Sequence, residues 1–481
     1  MCDGAHSDQL WRTLYRYSCG YHWDAFGVSH GTVGVTMDDP VLLTDLESLE
    51  RVRTDSSGYV PETLPDGVVI ATSIDDVVAT LRYASREGIP VVTRGSGSGL
   101  AAGASASAGE IVLDLGSMTT ILELDPVEQI AVVQAGVLNS EVSAAAAPHG
   151  LFYAPDPASM TYCSIGGNIA TNAGGMRCAK YGVTRESVLG LTVVLADGSI
   201  IRTGGTTIKR VSGYDLTALM IGSEGTLGVV VEATLRLRPA PVAVSTLSAY
   251  FVDVVQAAQC ASAIVSSGVQ PMILELMDGK TLQAIDDDTG TTHRDHGGAM
   301  LLVQTDRYGA ALEMDVITSV VEGFSSSMAV TTNPVESEVL VEARRHAIHA
   351  IGRHGVAYVG DVGVPRKHLG TMVAEIHRIG EETGVDLYTV AHAGDGNLHP
   401  ILALRPGELI DRGAPKEAMN QIFWAANALG GTLSGEHGIG TLKKDWLLPE
   451  LGAENLEVLA RIKVALDPQG ILNPGKAIFP S

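Results

Sequence analysis

The chain has 481 residues, enough for two or three domains, and its 45% hydrophobic and 18% charged composition with 55 Gly and 20 Pro marks a folded rather than a disordered protein. Only 32 Lys and Arg stand against 55 Asp and Glu, a formal net charge of -23, which excludes a sequence-independent grip on nucleic acid because phosphates are met by basic side chains. Cys2, Cys19, Cys163, Cys178 and Cys260 form no CxxC pair, the N-terminus lacks the build of a signal peptide, and no run of about 18 apolar residues occurs, so the expectation is a cytoplasmic protein, peripheral to a membrane at most.

Residues 1–60 mix polar and aromatic residues without sustained period and read as an N-terminal extension carrying no chemistry. From Val68 the rhythm becomes regular: a strand to Ala71, a capping box at Ser73 and Asp76, a helix from Asp75 to Arg86 stopped by Gly88, and a strand from Ile89 to Thr93. Short strands follow over Ile111–Leu115, Ile130–Val133, Leu191–Leu195, Ile200–Thr203 and Gly228–Leu237, with a helix over Asn139–Pro148. These make an α+β domain spanning 61–240. Arg238, Pro239, Ala240 and Pro241 mark a boundary. Beyond it a second domain, 241–430, mixes helices such as Val254–Ser266 with strands such as Ala299–Gln304. Within it, AIDDDTGTTHRDHGG reads as a polar loop; the spacing of His293 and His296 suggests metal binding, but nothing regular fixes those rings, so a solvated loop is expected. A helix near Pro415–Leu429 and a segment 431–481 with a closing helix before NPGK complete the chain.

Three small-residue loops stand out in the first domain. RGSGSGLAAG, Arg94 to Gly103, superficially resembles a dinucleotide-binding turn, but another strand rather than a helix follows it. Consecutive N–H groups freed by glycine suit an anion-binding nest for a diphosphate instead, and an ordinary glycine-rich turn is the bland alternative. PDPASMTYCSIGGNIATNAGG, residues 155–175, adds four glycines with short hydrogen-bonding side chains, and GSEGTLGVV, Gly222 to Val230, is the third. Together they imply a flat, polyphosphate-linked ligand lying across the domain.

With KYG, LTVVLADG, GYDLTALMIGSEGTLG, HAGDGNLHP, SGEHGIG and ILNPGK in the same order, the chain resembles the FAD-linked oxidases of the vanillyl-alcohol oxidase superfamily over about residues 60–481, in particular the group of D-lactate dehydrogenase, the glycolate oxidase flavin subunit and D-2-hydroxyglutarate dehydrogenase. The resemblance implies a two-lobed FAD-binding domain of the p-cresol methylhydroxylase type, an α/β cap domain and a C-terminal helical segment returning to the FAD site. It further implies that Arg94, Gly95, Ser96, Gly97, Ser98 and Gly99 wrap the pyrophosphate, and that Pro155, Ser159, Gly166, Gly167, Asn168, Asn172, Gly174, Glu224, Gly225, Gly228 and Asn473 line the rest of the cofactor. No His stands in the first loop, where covalently flavinylated relatives carry one, so the FAD is expected to be non-covalent.

In VAHAGDGNLHP, Gly394, Asp395, Gly396 and Asn397 favour a reversal that brings His392 and His399 together. Their neutral nitrogens suit a borderline divalent ion such as zinc or manganese, although two loop histidines also serve as simple hydrogen-bonding groups; the family pattern supplies Glu436 as third ligand. Oxidising an α-hydroxy acid requires removal of the hydroxyl proton, and His437, between Gly435 and Gly438, is the candidate base, with orientation of a neighbouring ligand as its alternative role. Arg344 corresponds to a family arginine that would clamp the substrate carboxylate, though Val341 replaces the Trp of that pattern and Arg345 stands next door. Val359, Gly360 and Asp361 stand where D-2-hydroxyglutarate dehydrogenases show Lys, Tyr and Asp, and Ile401 replaces their Asn. A distal carboxylate would be poorly paired there, so the expected substrate is a small, D-lactate-like 2-hydroxy acid. The implied partners are an electron acceptor of the quinone, cytochrome or electron-transfer flavoprotein class and a second copy in a homodimer; a same-fold oxidase of another alcohol and a non-catalytic flavin subunit are the rival readings.

Overall fold

The structure, a computed structural model, describes residues 39–477. Residues 1–38 of the expected extension lie outside them. Residues 39–60 are not a bystander: helix α1, Leu46–Val52, is N-capped by Asp45, whose Oδ1 accepts from Ser48 N at 3.0 Å, and Val52 packs with Val68, Val92 and Val112.

Strand β1, Gly67–Ile70, leads into helix α2, Ile74–Glu87, and strand β2, Val91–Arg94, follows. Ser73 Oγ accepts from Asp76 N while Asp76 Oδ2 accepts from Ser73 N, and Gly88 closes the helix at φ +67, a conformation that glycine adopts without a Cβ penalty. Strand β3, Ile111–Asp114, inserts between β1 and β2, all parallel. An antiparallel five-stranded sheet then takes β4, Ile121–Asp125; β5, Ile130–Gln134; β6, Val188–Val194; β7, Ile200–Gly204; and β8, Val229–Arg236, in the order β4-β5-β8-β6-β7. Helix α3, Asn139–Ala146, tightens into a 3-10 turn at Ala147–His149, where Pro148 has no N–H to continue the ladder. IGGNIATNAGG, expected as a loop, instead forms helix α4, Ile165–Thr171. Glycine makes this placement workable, because a Cβ at Gly166 would lie 2.8 Å from the Ala135 side chain.

Arg238–Pro239 pairs back onto Leu151–Phe152, and the chain then enters a second sheet of β9, Val244–Phe251; β10, Ile273–Asp278; β11, Ala299–Asp306; β12, Ser327–Thr331; β13, Val356–Val359; β14, Leu387–His392; and β15, Asn397–Leu404. Their order, β12-β9-β11-β10-β14-β15-β13, is antiparallel throughout, with Val362–Gly363 also pairing β15. Alternation along each strand sorts the residues. Leu274, Leu276, Leu301, Leu387, Leu398 and Leu402 face helices α5, Val254–Ser266; α9, Leu369–Thr383; and α10, Gly413–Ala428, with α6, α7 and α8 being Gly279–Thr289, Ala310–Val321 and Pro334–Gly352. Ile273, Met277, Tyr388, Val390 and Ile401 face the other way, against Val341 and Ile351 of α8 and against Met176 and Tyr181 of the first lobe.

The expected polar loop after Ala284 is helical instead. α6 runs to Thr289, and a second turn forms at His293–His296 because Asp286 gathers the N–H groups of His293 and Arg294 at 2.8 and 2.7 Å. His293 Nδ1 is spent on Tyr250 Oη at 2.8 Å. After helix α11, Ala453–Leu466, the chain returns to the parallel sheet: Asn473 N donates to Val91 O at 2.8 Å and Val91 N to Ile471 O at 2.7 Å. Among the described residues no helix is long and apolar enough to cross a membrane.

Candidate active site

A cavity of about 670 Å³ lies between the glycine loops of the first lobe and the His392–His399 face of the second sheet. Gly95, Ser96, Gly97, Ser98 and Gly99 line it, and so do Ser159, Gly166, Gly167, Asn168, Gly174, Glu224, Gly225 and Gly228. Close approach dictates several of these glycines: a Cβ at Gly95 would sit 2.1 Å from Ser164 Oγ, and Gly97 holds φ +71. Arg94 does not line the cavity. Its guanidinium turns beneath the loop onto Thr54 O at 2.8 Å and Ala104 O at 3.4 Å, so it braces the nest from behind. Pro155 and Asn172 also stand behind the wall, Pro155 O accepting from Asn139 Nδ2 and Asn172 Oδ1 from Arg185 N. Asn473 ties the C-terminal segment to the third loop, donating to Glu224 O at 2.8 Å and Gly103 O at 3.2 Å. Asp55 and Ser56, from the stretch expected to carry no chemistry, line the cavity as well; nothing in their local sequence signals it.

On the opposite side, β14 and β15 form a hairpin in which Val390 pairs with His399 and His392 with Asn397. The two histidines are therefore diagonal neighbours on one face, with ring centroids 5.1 Å apart. Each ring is fixed from behind: His392 Nδ1 lies 2.6 Å from Glu275 Oε1, and His399 Nδ1 lies 3.0 Å from Gly360 O. Both partners are acceptors, so each Nδ1 carries a proton and each Nε2 is the nitrogen left to face inward. They converge on Glu436 Oε1, at 3.5 Å from His392 and 3.1 Å from His399. Burial disfavours charge on His392, but Glu275 and Glu436 outweigh it and hold its pKa well above the usual value. Burial likewise opposes ionisation of Glu436, and the imidazoles outweigh it to hold that carboxylate well below its usual range.

His437 stacks on His399 with centroids 5.1 Å apart and 16° between planes, its Nε2 3.8 Å from Glu436 Oε1. Burial pulls its pKa down to about 4, so the ring is neutral near pH 7. The loop carrying Glu436 and His437 is clamped by one carboxylate from each side. Asp361 Oδ2 accepts from Glu436 N at 3.1 Å, His437 N at 3.0 Å and Ser434 Oγ at 2.8 Å, with Lys443 Nζ at 3.3 Å. Glu224 accepts from Ile439 N and Gly440 N, both at 2.8 Å.

The two arginines are less available than a sequence reading suggests. Arg344 places Nε and Nη2 on Glu275 Oε2 at 2.9 and 2.8 Å, and Arg345 is tied to Glu338 and Glu342 of its own helix. Both nonetheless line the cavity. Glu275 escaped notice, yet it had a signal: it is the carboxylate in the middle of the buried strand ILELMD, where a charge needs partners. Val359 faces Ile401 across the β13–β15 ladder, and Val359, Val390, Ala357 and Ile348 give the cavity an apolar wall.

Residues 65–204 match the FAD binding domain family, and residues 240–477 match the family of FAD linked oxidases, C-terminal domain. The chain belongs to the FAD-linked oxidases. It is similar to the glycolate oxidase subunit GlcD of Bacillus subtilis (strain 168), 40% identical over 421 residues, which cover 86% of this chain and 89% of that protein. It is also similar to a D-lactate dehydrogenase of Archaeoglobus fulgidus, 37% identical over 415 residues covering 85% and 91% of the two chains. The solved structure of p-cresol methylhydroxylase with substrate bound shares the fold, with a TM-score of 0.73 at 17% identity over 91% of this chain and 94% of that one. This FAD-linked oxidase is thus an FAD-dependent oxidoreductase of the glycolate oxidase subunit and D-lactate dehydrogenase group. Its cavity fits the flavin: glycine backbone is bare along one side, and the Asn168 Nδ2 and Thr93 Oγ1 donors in the wall have no hydrogen-bond partner among the described residues.

Proposed function

We propose that this FAD-linked oxidase converts a small, D-lactate-like D-2-hydroxy acid to the 2-keto acid, with non-covalent FAD and with a divalent metal, zinc or manganese, held by His392, His399 and Glu436. The observation that carries the metal is the convergence at the hairpin: with each Nδ1 held by an acceptor behind it, two imidazole Nε2 atoms and an ionised carboxylate oxygen are aimed at one point, where a divalent cation would take the place of the Nε2 proton that otherwise bridges imidazole and carboxylate. Bound FAD supplies the hydride acceptor, and the metal supplies Lewis acidity that lowers the pKa of the substrate hydroxyl.

This chain's own groups do the rest. His437, neutral and buried, accepts the hydroxyl proton at Nε2, the nitrogen turned toward Glu436. Asp361 and Glu224 hold its loop still, so the base stays in register with the imidazole pair. Arg344 and Arg345, in the cavity wall, meet the substrate carboxylate with the N–H groups left free by Glu275, Glu338 and Glu342. Ile401 is buried behind the wall, and the apolar wall of Val359, Val390, Ala357 and Ile348 offers a second carboxylate no partner, which favours D-lactate over D-2-hydroxyglutarate. The names of the relatives make glycolate the alternative substrate. Anaerobic mixing of the purified holoenzyme with D-lactate, glycolate and D-2-hydroxyglutarate, followed by flavin absorbance, tests the reading. D-lactate should bleach the flavin fastest. A flavin that stays oxidised with all three would leave the chain a carrier subunit and end the proposal.

A further inference from the structure

A second cavity, of about 500 Å³, lies away from the flavin site where the first lobe joins the second. Three arginines line it. Arg236, the last residue of β8, and Arg238 flank the buried Leu237, so alternation puts both on the same outer face of the extended chain. Arg307 follows β11 of the second lobe and holds φ +69, with its guanidinium 5.2 Å from the centroid of the Tyr181 ring.

What these arginines lack is a counter-charge. Among the described residues none of the three has a carboxylate at ion-pair distance, and the Nε of Arg238 is buried without a hydrogen-bond partner. The nearest acid in sequence, Asp306, is already engaged by Lys180 and by Tyr181 Oη. Among the described residues Glu128 is the one carboxylate in the cavity wall. Burial, then Arg236 and Arg307, depress the pKa of Arg238, the sign of cations crowded together. In a chain of net charge -23 a concave cluster of guanidiniums without carboxylate partners runs against the average, and arginine forks match phosphate oxygens bidentately. Apart from Gln129 the remaining wall is apolar, with Leu189, Ile208, Val242 and Pro239, and Tyr308 on the open side. Its volume is that of a small organic ligand.

We propose that this junction cavity is a binding site for a small organic phosphate, with Arg236, Arg238 and Arg307 holding the phosphate groups and the apolar wall and Tyr308 taking a planar body. Such a ligand would join Arg236 and Arg238 of one lobe to Arg307 of the other.

The test is calorimetric titration of the FAD-loaded enzyme, whose own phosphate loops are then closed to the probe, with ATP and with inorganic pyrophosphate at near-physiological salt. ATP should bind saturably at one per chain and more tightly than pyrophosphate. Arg238→Gln and Arg307→Gln should each weaken ATP binding about tenfold or more, as expected for a lost charge-assisted hydrogen bond. Glu128→Gln, which removes the opposing carboxylate, should tighten it. All three variants should retain wild-type flavin content. Absence of saturable ATP binding, equal binding of ATP and pyrophosphate, or affinity unchanged in both arginine variants would overturn the proposal.

Discussion

His392, His399 and Glu436 on one side, and His346, His349 and Asp288 on the other, each bring two imidazoles and one carboxylate within 4.8 Å. In the first cluster both histidines are buried and each Nδ1 is committed to an acceptor, so one nitrogen per ring is left and its direction is set. In the second, His346 and His349 stand one turn apart on α8, the His349 side chain is 67% exposed, and Arg353 shares the Asp288 carboxylate. The lesson is that donor identity does not make a metal site. Rings oriented from behind, exclusion of water and the absence of a competing cation are what would let the first cluster hold an ion.

Breaking the first cluster should have the largest effect. Glu436→Ala, or chelator treatment of the wild type, should lower steady-state turnover about a thousandfold, the worth of several kcal/mol of Lewis-acid stabilisation, while the flavin spectrum stays intact; persistent turnover would make the cluster structural. His437→Ala should slow anaerobic flavin reduction by about a hundredfold, the lower end of what a general base contributes, with FAD retained. The acid limb that protonation at about 4 produces in the wild-type pH profile should disappear with it; near-normal reduction would remove His437 as the base. Glu275→Gln sharpens the comparison, because it leaves the three ligands in place while altering the group behind His392, at the cost of also weakening the hold on Arg344. Metal affinity, read by competition with a graded chelator, should fall about 10–100-fold, and an unchanged affinity would deny that the tautomer lock matters. The double variant His346→Ala, His349→Ala should do least. Metal content should not change, and unfolding free energy should move by no more than about 0.5 kcal/mol, as for ordinary surface changes. Loss of one metal equivalent would show the two clusters to be equals.

The features legible in the chain were the local ones. Ser73 and Asp76 announce the start of α2, and the helix Val254–Ser266 coincides with its apolar period, because caps and periodicity act within a turn or two. The paired glycines of α4 hid a helix whose stability comes from packing on Ala135, a contact that helix propensity cannot report. The polar stretch before β11 was misread because Asp286 organises it through N–H groups seven and eight residues downstream. At the site, the HAGDGNLHP reversal carries its own turn signals, so the imidazole pair could be seen from sequence. The pairing of Arg344 with Glu275 and the hold of Asp361 on the Glu436 loop join elements far apart in the chain, and no periodicity encodes them.

Gly174 illustrates what such distant meetings entail. The position a Cβ would take there is 2.2 Å from Glu436 Oε2, so the carboxylate rests in the volume that a methyl group would fill. Alanine at 174 would evict the acid from its seat, and the damage admits one obvious genetic remedy, a shorter acid at 436. In a suppressor selection started from that lesion, aspartate at 436 is the reversion to look for, and its recovery would prove from heredity alone that the two segments share a single space.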